Sequence, residues 1–194
     1  LFRSTAGEHY TPREVIRLIV DLLFDEDAQA LTGQAPVRTI YDPAAGTGGM
    51  LTIGEQHVKE LNPAAIVSVS GQELNPETWA IARSELMMRG ENPEQLAPGN
   101  SLSTDAFPDT RFDYILANPP YGVDWKKYAD PIRQEAARTG PGNRFAAGLP
   151  RISDGSLLFL QHMISKMKPH SAAGGGSRIA IVLSGSPLFS GGAG

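Results

Sequence analysis

Cysteine is absent from all 194 residues. That removes disulfides, zinc–thiolate sites, iron–sulfur clusters and any cysteine nucleophile. It leaves the compartment open, since oxidising and reducing surroundings both tolerate a chain without thiols. Long apolar runs are lacking too, and none approaches the roughly 18 residues of a membrane span. No signal peptide opens the chain, and Leu1 is not a natural start, so the sequence is expected to be cut from something longer. Basic charge is scarce: 17 Lys and Arg stand against 21 Asp and Glu, a formal charge of −4. A stand-alone nucleic-acid binder usually shows the opposite balance. The histidines, His9, His57, His162 and His170, have no metal-ligand spacing, so no metal site is expected. What remains is a chain with 41% hydrophobic residues, enough for a real core and for one α/β domain.

The chemistry-bearing residues sit at the joints of an alternating pattern. Thr11, Pro12 and Glu14 read as a capping box with proline at the first helical position, followed by an apolar stripe at Val15, Ile16, Ile19, Leu22 and Leu23. Strand-like segments at residues 37–41, 65–70, 99–102, 112–117 and 178–183 alternate with helical ones near 50–61, 76–90 (Asn75 as its cap, Pro76 at its first position) and 156–168. Such alternation predicts an open, mostly parallel sheet with helices on both faces. Residues 122–153 break the pattern. They are rich in Gly, Pro and cations, with Lys126, Lys127, Arg133, Arg138, Arg144 and Arg151 against Asp124, Asp130 and Glu135. Their net charge is +3, so the remainder of the chain carries −7. The stretch is expected to be a flexible loop, either simply solvated or in contact with nucleic acid.

Three constellations stand out. Asp42-Pro43-Ala44-Ala45-Gly46-Thr47-Gly48-Gly49 follows a strand and opens a helix. Glycines there let a backbone approach a ligand, and the helix N-terminus offers free amides. The dinucleotide pattern would need glycine at position 51, where this chain has Leu51. Glu73, just past the next strand, is placed where an acid takes ribose hydroxyls. Asn118-Pro119-Pro120-Tyr121 follows the fourth strand directly. Its prolines stiffen the backbone and remove two donors, leaving the Asn118 side-chain oxygen and the Pro119 carbonyl as acceptors. Two rigid acceptors suit an amino group, and the neighbouring ring of Tyr121 suits a planar base.

These two motifs resemble the signatures of the amino-group DNA methyltransferases. Upstream, Gly7-Glu8-His9-Tyr10-Thr11-Pro12-Arg13 is similar to a segment preceding them in the modification subunits of type I restriction–modification systems. Asp154-Gly155-Ser156-Leu157-Leu158-Phe159-Leu160 and residues 178–183 add to the likeness, which covers nearly the whole chain. The resemblance implies an S-adenosylmethionine-dependent, Rossmann-like methyltransferase domain over residues 1–194, truncated before its last strands. It implies that Glu8, His9, Tyr10, Thr11, Pro12 and Arg13 close over the methionine end of S-adenosylmethionine. Asp42, Gly46, Thr47, Gly48 and Gly49 would line its methionine and sugar, Glu73 would take the ribose, and Asn100 its adenine amine. At Asn100 the family frequently has aspartate; asparagine keeps one acceptor oxygen. Asn118, Pro119, Pro120 and Tyr121 would hold a flipped target base.

The implied reaction is methylation of adenine N6 in DNA. Without cysteine, methylation at carbon 5 of cytosine is excluded. Cytosine N4, an RNA base, a protein glutamine, or cofactor binding without turnover remain as alternatives. The implied partners are DNA, a specificity subunit, a second modification subunit and a restriction subunit, in a prokaryotic cytoplasm. The fragment alone is expected to be inactive on DNA.

Overall fold

A computed structural model describes residues 11–27, 31–32, 36–140, 142–170, 176–183 and 185. Among these residues, ten α-helices and β-strands follow one another: α1 Arg13–Phe24, β1 Val37–Asp42, α2 Gly49–Leu61, β2 Ile66–Glu73, α3 Pro76–Met88, β3 Leu96–Pro98, β4 Tyr114–Ala117, α4 Ala129–Ala136, α5 Ser156–Ser165 and β5 Arg178–Ile181. All five strands pair in parallel, in the order β3-β2-β1-β4-β5. Strand alternation gives the sheet two apolar faces. On one, Ile40, Val67, Val69 and Leu116 meet Ile16 and Val20 of α1, Leu51 and Val58 of α2 and Leu86 of α3. On the other, Tyr41, Ile115 and Ala117 meet Phe112 and Met163 of α5. Helices therefore cover both faces, as the alternation predicts.

Several local expectations change. The Asn75 side chain does cap α3, accepting from Glu77 N at 2.9 Å and Thr78 N at 3.2 Å. Thr11, however, does not cap α1. The N-cap is Pro12, without a side-chain cap, and the first turn is closed by Val15 N and Ile16 N on Pro12 O. Of the expected stripe Leu22 is 70% exposed, and Val20 and Phe24 are buried instead. The third strand lies at Leu96–Pro98, and Gly99, with a φ of 111°, leads from it toward a turn at residues 101–103. Helix α5 stops at Ser165. Lys166 leaves it to donate, from a buried position, to the Asp105 carboxylate and to Phe107 O.

Residues 122–153 hold more structure than the loop expected there. They contain α4 and a satellite core in which Trp125, Ala129, Ile132 and Phe145 pack with Leu102 and Leu158. Arg144 is not a surface cation. Its side chain is 8% exposed and forks onto the Glu135 carboxylate at 2.7 and 2.6 Å. The same guanidinium donates to Ser101 O at 2.6 Å and Leu102 O at 3.0 Å. It also reaches His162 Nδ1 at 2.9 Å. Arginine can only donate, so Nδ1 accepts, and the His162 Nε2–H points to the Tyr41 hydroxyl 3.0 Å away. Burial, with the charges of Arg144 and Lys166, holds the His162 pKa well below its ordinary value, so the ring is neutral. One side chain thus ties the segment to the loop after β3 and to α5. Arg144→Met leaves the Glu135 carboxylate and two carbonyls without their donor. It should cost about 3 to 5 kcal/mol, read as a lowered urea midpoint; an unchanged midpoint would show the fork to be dispensable.

Candidate active site

Parallel pairing brings the carboxyl ends of β1, β2 and β4 together. Asp42 closes β1 opposite Gly71 of β2, Glu73 closes β2 opposite Pro98 of β3, and Asn118 follows the end of β4. In open parallel sheets this edge is where ligands bind. Between β1 and α2 the chain turns through Gly46 (φ 55°) and Gly48 (φ 84°), a region that glycine enters without a Cβ penalty. The turn leads into α2 with Gly48 as its N-cap.

The carboxylates hold this turn. Asp42 is 2% exposed and accepts from Ala44 N at 2.9 Å. Burial raises its pKa to about 7, the amide bond from Ala44 opposes the rise, and the Glu73 charge adds to it. Glu73 Oε2 accepts from Gly46 N and Oε1 from Asn75 N, both at 2.7 Å. One side chain therefore joins the glycine turn to the start of α3. A carboxylate has roughly four lone-pair sites, so Glu73 keeps capacity for two hydroxyls. Ser101 Oγ donates to Pro43 O at 2.7 Å, fastening the loop after β3 to the same turn. Asn100 sits in that loop, and its Oδ1 receives Leu102 N at 2.8 Å and Ser103 N at 3.2 Å. The oxygen expected to face the cofactor's adenine thus also closes a turn of the chain itself.

Asn118 is held from two sides. Its Nδ2 donates to Thr11 Oγ1 at 2.7 Å, and its Oδ1 accepts from the Tyr121 hydroxyl. Burial raises the Tyr121 pKa, which keeps that hydroxyl protonated and able to donate. Pro119 is buried beneath.

These groups share a cleft of about 1270 Å³, larger than the roughly 300–1,000 Å³ of ordinary small-molecule sites. Thr11, Arg13, Asp42, Gly46, Thr47, Gly49, Glu73, Asn100, Asn118, Pro119 and Pro120 line it; Pro12, Gly48 and Tyr121 fall outside the lining. Glu8, His9 and Tyr10 lie outside the described residues. The donor set fits an adenosyl cofactor: a buried acid able to face a cation, an acid at the second strand end for a sugar diol, and an apolar wall including Leu74 and Ile81. Sequence reasoning missed the aromatic part of the lining, Trp125, Tyr128 and Phe159. The signal for the first was available, since Trp125 is one of two tryptophans and lies four positions after Tyr121.

Relatives place this geometry in context. The HindI methylase subunit, a type I restriction enzyme component of Haemophilus influenzae, is 28% identical over 191 residues. The match covers 95% of this chain and 37% of that protein. The methyltransferase subunit of a type I restriction-modification system from Streptococcus thermophilus, a solved structure, is 26% identical. It superposes with a TM-score of 0.72, covering 97% of this chain and 37% of that one. A Listeria monocytogenes protein described as a class I S-adenosylmethionine-dependent methyltransferase is 15% identical. It shares the fold with a TM-score of 0.67, over 96% of this chain and 50% of its own. The chain spans about a third of the length of the curated relatives it matches. The fold is that of class I S-adenosylmethionine-dependent methyltransferases. With the N-6 DNA methylase family matched over residues 2–194, nearly its full length, the chain belongs to that family.

Proposed function

We propose that the protein containing this chain methylates the N6 amine of an adenine flipped out of DNA, as the modification subunit of a type I restriction–modification system. The observation that carries the reading is the placement of Asn118-Pro119-Pro120 in one cleft with Asp42 and Glu73. When bound, S-adenosylmethionine supplies a methyl group on a sulfonium. Asp42 and the Gly46–Gly49 turn would hold its methionine and sugar, Glu73 the ribose hydroxyls, and Arg13 and Asn100 the remaining edges. Glu8, His9, Tyr10 and Pro12 belong to the same proposed cofactor segment.

An adenine inside a duplex cannot reach such a cleft, so it must be extruded. Its amine lone pair is delocalised into the ring and is a poor nucleophile. Asn118 Oδ1 and the Pro119 carbonyl accept the two amine N–H bonds, which favours a tetrahedral nitrogen with its lone pair directed outward. To receive the base, Asn118 exchanges the Tyr121 hydroxyl for the amine, and the Tyr121 ring becomes a stacking surface. The residues contribute orientation and stabilisation of positive charge growing on nitrogen. As the N–CH3 bond forms, the methyl's bond to sulfur would break and leave a neutral thioether; the nitrogen loses one proton to water, and no covalent enzyme intermediate forms. The family's description supports DNA as substrate, and the word subunit in the relatives' names supports a multisubunit assembly; in this reading a separate specificity subunit makes the sequence choice, alongside a second modification subunit and a restriction subunit. The bacterial and archaeal relatives support a prokaryotic cytoplasm, and no helix among the described residues is long and apolar enough to cross a membrane.

The direct test incubates the full-length protein and its specificity subunit with labelled S-adenosylmethionine and DNA, RNA or protein, then identifies the product. N6-methyladenine in DNA is expected; label in cytosine, RNA or glutamine, or none at all, would sink the reading. Asn118→Ala should lower kcat by about a hundredfold or more with cofactor affinity retained.

Asp42 gives a pH test. An acid whose folded pKa is raised binds its proton more tightly in the folded chain, so its burial lowers stability as pH rises from about 4 toward 7. A cation bound beside it pulls the pKa back down. Cofactor binding at pH 7 should therefore release about half a proton, seen by calorimetry in buffers of different ionisation enthalpy. Asp42→Asn should abolish the release, and a buffer-independent heat in the wild type would contradict the assignment.

Lys126, Lys127 and Arg133 stand exposed just after the Asn118 motif, beside Trp125 and Tyr128. If they meet phosphates, reversing all three charges in the assembled enzyme should weaken DNA binding. The slope of log affinity against log salt should flatten by about three; an unchanged slope removes them from the interface.

A further inference from the structure

We propose that Thr11 is a positioning residue for the methyl-transfer step, acting through the Asn118 amide; this rests on the adenine-methylation reading above. The residue is free for the task because α1 does not use it. The N-cap of α1 is Pro12, and no side chain caps the helix. The Thr11 hydroxyl instead meets Asn118 Nδ2 at 2.7 Å, a contact between residues 107 positions apart.

An asparagine side chain has an accepting end and a donating end. A half-turn about its last bond exchanges them with little change in shape. A target amine gives hydrogens, so it can be held only with Oδ1 toward it. In that orientation the NH2 group points away from the base and needs an acceptor of its own. Thr11 Oγ1 is that acceptor. The Tyr121 hydroxyl donates to Oδ1 at the other end, so the amide lies in the receiving orientation. Thr11 stays in place when the base replaces the hydroxyl. Its bond also polarises the amide and strengthens Oδ1 as an acceptor. Removing Oγ1 leaves the part-buried NH2 unpaired in the one orientation the reaction can use, and the reversed orientation presents donors to donors.

The resemblance to the modification subunits assigns Thr11 to the cofactor, so the two roles separate in kinetics. The experiment compares wild type, Thr11→Val and Thr11→Ser in the full-length assembly. Valine preserves the branched shape without the hydroxyl, and serine preserves the hydroxyl without the methyl. Cofactor affinity is measured by calorimetry and kcat on target DNA at saturating cofactor. Expected is a kcat roughly tenfold to a hundredfold lower in Thr11→Val at wild-type cofactor affinity, restored in Thr11→Ser. Weakened cofactor binding with kcat recovered at saturation would overturn the proposal in favour of a cofactor contact. Unchanged kcat in Thr11→Val, or equal losses in both variants, would overturn it as well. A wild type that methylates no adenine removes the reaction itself, and the proposal with it. A wild type that methylates beside an unimpaired Thr11→Val removes Thr11 alone. If Thr11→Val does not fold, Thr11→Ala against Thr11→Ser gives the same comparison.

Discussion

The parallel pairing of β1 with β2 on one side and β4 on the other is the constraint on which the rest depends. With Asp42 opposite Gly71 and Tyr41 opposite Ile115, the strand ends carrying Asp42, Glu73 and Asn118 must emerge at the same edge. A one-residue slip of β4 would turn Ile115 and Ala117 to the helix α2 face and move Asn118 off the cleft. Register is protected by burial on both faces, since Ile40 and Leu116 point one way and Tyr41, Ile115 and Ala117 the other. Asp113 adds a polar pin. Its Oδ2 accepts from Thr39 N at 2.9 Å and Thr39 Oγ1 at 2.8 Å, and its Oδ1 from Lys168 Nζ at 2.6 Å. The β1–β4 alignment is thereby fixed just before the residues that matter for chemistry begin.

The two acids at this edge behave differently because their surroundings differ. Glu73 is half-buried and neutralises two backbone amides that would otherwise be orphans, Gly46 N and Asn75 N. Asp42 is almost wholly buried with one amide partner, and it feels the Glu73 charge. Fixing Glu73 as a charged brace thus helps to push Asp42 toward its neutral form. A cleft that shifts one carboxyl to near neutrality while keeping another engaged is suited to a ligand that is cationic at one end and hydroxylated at the other. The same edge is braced from below: Ser101 bonds Pro43 through its side chain and Arg144 through its carbonyl. The cofactor side of the cleft and the segment after Tyr121 therefore share one anchor.

Much of this was legible in the chain itself. Strong punctuation marks β1, β2 and β4: a β-branched or aromatic run ending at Asp42, a second over residues 65–70 with Glu73 just past it, a third running into Asn118; in the fold β2 extends far enough to include Glu73. The Asn75-Pro76 cap is local chemistry, and the fold obeys it. Failures came where long-range partners outweighed local rules. Thr11 has the sequence of a cap but bonds a residue 107 positions away. Strand β3 has three residues, one of them Pro98, and carries no periodic signal. Residues 122–153 hide a core because Trp125, Ala129, Ile132 and Phe145 are irregularly spaced. Arg144 reads as one more surface charge until Glu135, His162 and two carbonyls are seen around it.

That internal arginine changes how the charge asymmetry of the chain should be understood. The +3 of residues 122–153 is a count, and Arg144 with Glu135 cancels inside the fold without altering it. What remains outward is Lys126, Lys127, Arg133, Arg138 and Arg151 against Asp124 and Asp130. Lys126, Lys127 and Arg133 are exposed over a span that begins five residues after Tyr121. Two of them lie over rings, Lys127 at 5.6 Å from the Tyr128 centroid and Arg133 at 5.7 Å from that of Trp125. Trp125 and Tyr128 in turn line the cleft. The cations are therefore carried on the rim of the site, with aromatic groups between them and its interior. Asp124 and Asp130 are exposed in the same span and offset two of these charges, so the rim is basic only locally, and what it offers an anion depends on which of these side chains the anion meets.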